Sequence, residues 1–408
     1  MLLRVTGSSQ VQQFLIPLTQ SIYTLIDANM VRKIPIPSAL IVRGMNLIYT
    51  GAYIILKPLG LAPAANAFLS GGLFGLLLLP VTAIYSIVYI LREFILPAEG
   101  LWHDAVIYSV WGFVVWYLLS IIMDDAHCRV DDTCFRTPQN HFDRQAYELF
   151  KELFDYFPIT CVPYSEKVTQ QLATMDKQYV AGVHPHGIHC FPLTLLASPD
   201  TPFDQQFPGL VSGSAKTPKH PFTGLAATIM FKIPVVREFF LVFGYIDASR
   251  HVADAALDAG KSIFVVTGGE EESMYATSTG SGGQEDILVL KNRKGFVRLA
   301  LKHGASLLPI FGVGNNDTFV RYNFAMGFRQ WIQKTFKIAL PIFHGRFFTP
   351  LPYHTPIKVI VGEPIHVPKP TDTNAKPDEK LVNEYHQKYI EALKEIHAKF
   401  ADRPLRIV

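Results

Sequence analysis

The sequence predicts an α/β fold with a mostly parallel sheet, and three strand-like stretches carry this prediction. They are the short apolar runs in "DKQYVAGVHPHG", "KSIFVVTGG" and "GASLLPIFGVG", with amphipathic helical patterns between them. Such alternation is typical of βαβ units, whose strands pair in parallel. Each run ends in a loop rich in Gly, His, Glu or Asn. Because ligands of open α/β sheets bind beyond the carboxyl ends of strands, we expect these loops to meet in one crevice.

Two apolar stretches precede this pattern. Residues 71–91 and 105–123 contain no charged side chain, and each is long enough to cross about 30 Å of hydrocarbon as a helix. The charged residues of the connector 92–104 are mostly acidic, whereas those that precede the first apolar stretch are mostly basic. Since Lys and Arg are typical of cytosolic flanks, we predict a hairpin with both ends in the cytosol. The alternative is a pair of core helices in a large soluble domain.

The chain is therefore divided into three parts. Residues 1–70 are predicted to be a cytosolic or interfacial segment, 71–123 a transmembrane helical hairpin, and 124–408 a cytosolic α/β domain. A final helix is predicted after the Pro-rich stretch 364–380, because apolar residues recur there at helical spacing. That face holds Tyr385, Tyr389, Leu393, Ile396 and Phe400.

Composition excludes several classes of protein. Apolar residues make up 49% of the chain and charged residues 17%, with a mean hydropathy of +0.21, which indicates a membrane or a lipid. A net charge of +3 is too small to suggest a nucleic-acid partner. The four cysteines form no CxxC pair, so neither a disulfide framework nor a structural zinc site is predicted.

Three histidines, His184, His186 and His189, follow the first strand in "YVAGVHPHGIHCF". The spacing resembles the HxHxDH cluster of metallo-β-lactamase-type hydrolases. That cluster needs an Asp where this chain has Ile188, and no second group of His and carboxylate residues supplies the other ligands. We therefore predict no metal.

The three histidines have two remaining interpretations. Either they only satisfy hydrogen bonds at the end of a strand, or one of them is a catalytic base that faces the substrate. Pro185 restricts His184 to extended geometry, and Gly187 allows a sharp turn with close backbone approach to a ligand. These two residues favour the base. Cys190 is a less favoured nucleophile, since a lone Cys behind a strand is usually a small buried apolar residue.

"HPHG" resembles a signature of the type 2 diacylglycerol acyltransferase family, which includes monoacylglycerol and wax-ester acyltransferases. Three further blocks are similar to that family: "VVTGGEEES" at 265–273, "NRKGFVRLALKHGASLLPIFGVGNND" at 292–317 and "VGEPI" at 361–365. With the hairpin, the resemblance covers roughly residues 70–370. Thr267 departs from the residues usual before the two glycines.

The resemblance implies acyl transfer from acyl-CoA by general-base catalysis, without an acyl-enzyme and without a cofactor. His186 is the expected base and His184 a neighbour that shapes the site. A related superfamily orients its base with His-x4-Asp, but His189 and Phe191 stand at those positions here. We therefore expect Glu272, which matches the family's Glu, to orient an imidazole. Oxyanion candidates are the backbone N–H groups near Gly187, Gly268 and Gly269.

Basic residues are candidates for the phosphates of coenzyme A. Lys291, Arg293 and Lys294 surround the first turn of a predicted helix, where the macrodipole disfavours cations and favours an anion. Arg237 and Arg250 are weaker candidates. The alternative for each is a solvated basic face.

From Thr318 to Gly362 the chain contains no Asp or Glu, while basic and aromatic residues are interleaved. This mixture suits a membrane interface, and we expect Arg329, Lys334 and Lys337 to face anionic headgroups. The alternative is an ordinary core helix.

The expected acceptor is diacylglycerol, giving triacylglycerol, with monoacylglycerol or a fatty alcohol as alternatives. A metal-dependent lipid hydrolase and a non-catalytic lipid-droplet scaffold lie outside that class. The implied location is the endoplasmic reticulum membrane, multi-pass with a cytosolic catalytic domain, and also lipid droplets. The partners are acyl-CoA, diacylglycerol and membrane lipid, and the sequence is compatible with an oligomer.

Overall fold

The computed structural model describes residues 108–109, 112, 115–119, 121–130, 156–173, 177–196, 201–208, 210, 219–234, 236–242, 244–275, 285–322, 324–336, 339–370 and 376–408. The predicted segment 1–70, the first apolar stretch and the 92–104 connector lie outside these residues. Residues 115–119 and 121–123 of the second stretch are helical. In the described part of the chain, no helix is long and apolar enough to span a membrane. The hairpin therefore stays a prediction.

The described strands follow the expected alternation with helices. They are β1 (Ile159–Pro163), β2 (Tyr179–His184), β3 (Phe222–Ala226), β4 (Ile246–Asp247), β5 (Ser262–Val265), β6 (Asp286–Leu288), β7 (Ser306–Val313), β8 (Val320–Arg321), β9 (Phe343–His344), β10 (Ile357–Val361) and β11 (Leu405–Ile407).

The described α-helices are mostly short, apart from the last. They are α1 (Glu166–Ala173), α2 (Phe191–Leu196), α3 (Pro202–Gln206), α4 (Val236–Val242), α5 (Arg250–Asp258), α6 (Gly269–Tyr275), α7 (Gly295–His303), α8 (Met326–Phe336) and α9 (Glu379–Phe400).

Seven strands form one sheet in the order β1-β10-β7-β2-β5-β3-β4. All neighbours pair in parallel except β10 and β7, which are antiparallel. The prediction of a mostly parallel α/β sheet is confirmed. Strands β2, β5 and β7 are neighbours and run in the same direction, so the loops that follow them leave the same edge of the sheet.

Strand β2 is buried on both faces, as expected for a central parallel strand. Val180 packs in the core on the side of α7 and α9, whereas Ala181 and Val183 belong to the core on the other side. The predicted final helix is confirmed as α9. Its residues Tyr389 and Leu393 are fully buried in the first of these cores.

Candidate active site

The candidate site lies where β2 ends between β5 and β7. The Asn315 amide follows β7 and donates to the carbonyl of Pro185 at 3.2 Å, while Glu272 in α6 follows β5 and bonds the backbone of His186. Loops from three adjacent parallel strands therefore meet, and the predicted shared edge is confirmed.

His184 is fully buried and bound to the fold. The Tyr389 hydroxyl donates to the carbonyl of Gly182 at 3.0 Å and lies 3.1 Å from His184 Nε2, and the Thr267 hydroxyl lies 3.3 Å from the same nitrogen. Because the Tyr389 proton goes to Gly182, Nε2–H of His184 donates to the tyrosine oxygen. Burial lowers the pKa of His184 to about 3, so the ring is neutral near pH 7.

His186 is half-buried, and its ring bonds the backbone beside it. Its Nδ1 lies 2.9 Å from the carbonyl of Gly187. A carbonyl only accepts, so Nδ1 carries the proton and Nε2 keeps a lone pair. Burial lowers the pKa of His186, and the bond to Gly187 partly opposes this shift. The ring is thus a neutral imidazole with a basic nitrogen away from its anchored side.

The expected contact between Glu272 and an imidazole was wrong. Its Oε1 accepts the backbone N–H of His186 at 2.6 Å, and its Oε2 accepts the backbone N–H of Val289 at 3.0 Å. The group that orients the His186 ring is the Gly187 carbonyl instead. Glu272 therefore fixes the backbone that carries the base, joining it to the segment after β6.

Glu272 is also completely buried. Burial raises its pKa to about 7, and the two backbone N–H bonds oppose this rise because they favour the carboxylate. Gly268 makes room for it: a Cβ at that position would lie 1.9 Å from Glu272 Oε2. Glu272 therefore titrates near neutral pH in a space that permits no side chain at 268.

Asn315 is a site residue that we did not single out from the sequence. It is fully buried, and its Nδ2 lies 3.2 Å from the carbonyl of Pro185 and 3.4 Å from that of His186. Its Oδ1 accepts the N–H of Phe191 at 3.3 Å. One amide thus holds both sides of the turn that presents His186. The motif block ending in "GVGNND" contains this signal, but an amide has no acid–base behaviour to draw attention to it.

The next residue, Asn316, is linked to the C-terminal helix through Asp286. Its Nδ2 donates to Asp286 Oδ1 at 2.9 Å, and the other oxygen of Asp286 lies 3.0 Å from Nε2 of His397 in α9. A Cβ at Gly187 would lie 2.8 Å from Asn315 Nδ2 and 3.3 Å from Asn316 Oδ1. Gly187 also has φ +59°, in the left-handed region, so both sterics and backbone conformation require glycine there.

The three oxyanion candidates differ in their surroundings. The N–H of Gly269 donates to the carbonyl of Val266 at 3.1 Å and closes the turn before α6. Gly268 packs against Glu272, as described above. Gly187 directly follows His186 in the chain. Its backbone N–H is therefore the favoured oxyanion candidate of the three.

The basic candidates lie at several places. Lys291 and Arg250 have exposed side chains. Arg293 pairs with Glu271 at 2.5 Å, and Lys294 donates to Asn383 at 2.7 Å. Arg237 is only 3% exposed and forms an ion pair with Asp124, so its expected contact with a phosphate is corrected to a structural role.

The other chemical alternatives find little support. Burial raises the pKa of the Cys190 thiol to about 12, which disfavours the nucleophilic thiolate. Burial lowers the pKa of His189 to about 3, and the neighbouring His186 contributes in the same direction. Among the described residues, no group of three or more His, Cys, Asp or Glu side chains is placed to hold a metal ion.

A neutral histidine at the carboxyl edge of a mostly parallel sheet has the chemistry to act as a general base. A family model described as diacylglycerol acyltransferase matches residues 105–404. Human 2-acylglycerol O-acyltransferase 3 is 34% identical over 307 residues, which cover 71% of this chain and 80% of the relative. Diacylglycerol O-acyltransferase 2B of Umbelopsis ramanniana is 30% identical over 312 residues, covering 72% and 80%.

Human diacylglycerol O-acyltransferase 2 is 35% identical over 260 residues, which cover 60% of this chain and 61% of the relative. The chain is an acyltransferase, and it belongs to the diacylglycerol acyltransferase family.

Proposed function

We propose that this chain transfers a fatty acyl group from acyl-CoA to the hydroxyl of diacylglycerol, forming triacylglycerol, with His186 as the general base. The role of His186 as the general base is supported by the hydrogen bond from its Nδ1 to the Gly187 carbonyl. That bond leaves Nε2 as the proton acceptor. The lowered pKa of His186 keeps the ring neutral, and therefore able to accept a proton, near pH 7.

The proposed reaction is a single displacement through a tetrahedral intermediate. The acceptor oxygen attacks the thioester carbonyl while His186 Nε2 takes its proton. The carbon–sulfur bond then breaks, and the proton returns to the departing thiolate of coenzyme A. Donors near Gly187 would stabilise the developing oxyanion, a contribution of roughly 10²–10³ in rate for such groups.

Four basic residues remain proposed ligands for the phosphates of acyl-CoA: Lys291, Arg293, Lys294 and Arg250. Lys291 and Arg250 are exposed, while Arg293 and Lys294 would exchange their present side-chain partners for phosphate. For the segment before residue 124 we propose the two-helix hairpin, which would hold the enzyme in the endoplasmic reticulum membrane with its catalytic domain in the cytosol. Accessibility of tags at both termini to protease in sealed microsomes tests this topology.

The acceptor is tested with the purified full-length chain, labelled acyl-CoA and a panel of acceptors. We expect labelled triacylglycerol from diacylglycerol, no effect of a chelator, and a rate lower by roughly 10²–10⁴ for the His186→Ala variant. Monoacylglycerol is the second candidate acceptor. It is suggested by the human relative named 2-acylglycerol O-acyltransferase 3, because the match to this chain covers 80% of that protein. Faster transfer to monoacylglycerol than to diacylglycerol would favour that activity. Chelator sensitivity would favour the hydrolase alternative.

A further inference from the structure

The segment that lacks acidic residues carries most of the exposed large aromatic side chains of the described part of the chain. We call five of them the aromatic patch. They are Phe324 (76% exposed), Phe328 (61%), Trp331 (54%), Phe347 (77%) and Phe348 (82%). Soluble surfaces rarely expose so many large apolar side chains from one short segment, and such clusters mark interaction sites.

The patch is built by two elements that are held together. Phe324, Phe328 and Trp331 recur at helical spacing along α8 and the turn before it, and the Phe328 and Trp331 rings stack with centroids 5.9 Å apart. Phe347 and Phe348 follow the β8–β9 pair. The His344 ring packs 5.5 Å from Tyr322 and 4.6 Å from Phe348, and Arg329 of α8 donates to the carbonyl of Tyr322, so these contacts link the two elements.

The arginine expected to face lipid headgroups is instead what fixes this arrangement. Arg329 is 2% exposed, and its Nε donates to the carbonyl of Leu340 at 2.5 Å while its Nη1 donates to that of Tyr322 at 3.0 Å. The expectation of an outward Arg329 was therefore wrong. Its guanidinium binds the backbone on both sides of α8, while Phe328 and Trp331 of the same helix are exposed.

The backbone around the two final aromatic residues is unusual. Phe347 and Phe348 both have positive φ, at 56° and 57°, which is rare for bulky residues. The Arg346 guanidinium lies 5.3 Å from the centre of the Phe347 ring. Two consecutive phenylalanines held outward in a costly conformation, beside a cation, indicate that these rings have a binding partner.

We propose that the aromatic patch inserts into the headgroup and upper acyl region of a phospholipid bilayer. The charge pattern selects this partner: no Asp or Glu occurs from Thr318 to Gly362, and Arg346 and the exposed Lys334 lie beside the rings. Aromatic rings with flanking cations are the chemistry of interfacial anchors. Insertion of rings, rather than adsorption through surface cations, holds the catalytic domain on the leaflet. The proposal rests on the acyl acceptor being a membrane lipid, as proposed above.

Depth-dependent fluorescence quenching tests the insertion. The full-length chain carries Trp102, Trp111, Trp116 and Trp331, and Phe replaces the first three so that Trp331 is the only indole. This protein is reconstituted in phosphatidylcholine–phosphatidylserine vesicles with or without bromine on the acyl chains. In a matched control, Trp331→Phe is combined with Gln387→Trp at an exposed position of α9.

We expect brominated lipid to quench Trp331 several-fold more strongly than the indole at position 387. Phe347→Asn combined with Phe348→Asn, which suits left-handed backbone better than Phe, should reduce the quenching of Trp331. Equal quenching at 331 and 387 would overturn the proposal, as would quenching that the double substitution leaves unchanged. If a second copy or another segment of the chain covered the aromatic patch instead of lipid, quenching at 331 and 387 would be equal. His186→Ala should keep the quenching, so failure of the catalytic proposal and failure of this one are distinguishable.

Discussion

The Glu272 carboxylate accepts two backbone N–H groups, that of His186 at 2.6 Å through Oε1 and that of Val289 at 3.0 Å through Oε2. A buried carboxylate in an active site thus holds the peptide of the proposed base, whereas the adjacent carbonyl of Gly187 holds its imidazole. The position of the peptide and the tautomer of the ring are therefore controlled by different groups.

Replacement of Glu272 tests this division. Glu272→Gln keeps one oxygen but turns the other acceptor into an N–H donor, which faces a backbone N–H of His186 or Val289. We expect acyl transfer to fall by less than on loss of the base, and the free energy of unfolding to fall by about 1–3 kcal/mol. Glu271→Gln is the matched control, because it removes only a partly exposed pair with Arg293, worth about 0–1 kcal/mol. Equal effects of the two substitutions would contradict the role given to Glu272.

Gly268→Ala should reproduce part of this defect without touching a polar group. The new Cβ would lie 1.9 Å from Glu272 Oε2, so the carboxylate must move and its bond to a backbone N–H must lengthen. We expect lower activity and a lower melting temperature. Gly295→Ala is the control, since a Cβ there meets nothing within 4 Å. Normal acyl transfer by Gly268→Ala would show that the site tolerates a displaced Glu272.

Asn315→Ala should loosen the turn that presents His186. Three backbone groups, in Pro185, His186 and Phe191, would lose their amide partner inside the protein. We expect unfolding to become easier by about 1–3 kcal/mol and kcat to fall more than the KM for acyl-CoA changes. Asn292→Ala, at an exposed turn, is the control. An unchanged kcat for Asn315→Ala would remove Asn315 from the positioning groups.

Stability should fall in acid through His184. Its pKa in the folded chain is about 3 against 6.5 for a free histidine, so the unfolded chain takes up the proton first. The contribution of His184 is complete above pH 6.5 and is lost as the pH falls toward 3, with about 2 kcal/mol lost by pH 5. Glu272 acts in the opposite direction: with its pKa raised from 4.5 to about 7, its contribution is complete below 4.5 and is lost as the pH rises through 7.

His184→Gln isolates the first effect, because its amide can still reach Tyr389 but does not titrate. Denaturant unfolding at pH 7.5 and pH 5 should show a smaller loss of stability for the variant than for the parent chain. Parallel losses in the two proteins would mean that His184 is not the group that titrates.

The sequence predicted which strand ends meet but not which atoms bond. Apolar runs followed by Gly, His, Glu and Asn were sufficient to predict a mostly parallel sheet and the shared edge, since both follow from local pattern. The target of Glu272 depends on where Val289 comes to lie, and Val289 follows a strand that pairs with the C-terminal β11. No local pattern carries that information.

The buried arginines were misjudged for a related reason. Arg237 and Arg329 lie in stretches without acidic residues, which made them look like free cations. Arg237 pairs with Asp124, far away in sequence, and Arg329 donates to backbone carbonyls, which every residue type supplies. A count of charged residues in the local sequence detects neither a carboxylate that is distant in sequence nor a backbone carbonyl.

The central claim is that His186 Nε2 takes the proton of the acceptor hydroxyl, and the rate of acyl transfer by His186→Ala tests it most directly. The purified full-length variant and parent chain are compared with labelled acyl-CoA and diacylglycerol, after equal melting temperatures have shown that both are folded. The account predicts a fall of roughly 10²–10⁴ in rate, the usual consequence of losing a general base. A folded His186→Ala protein that transfers the acyl group at a near-normal rate would contradict it.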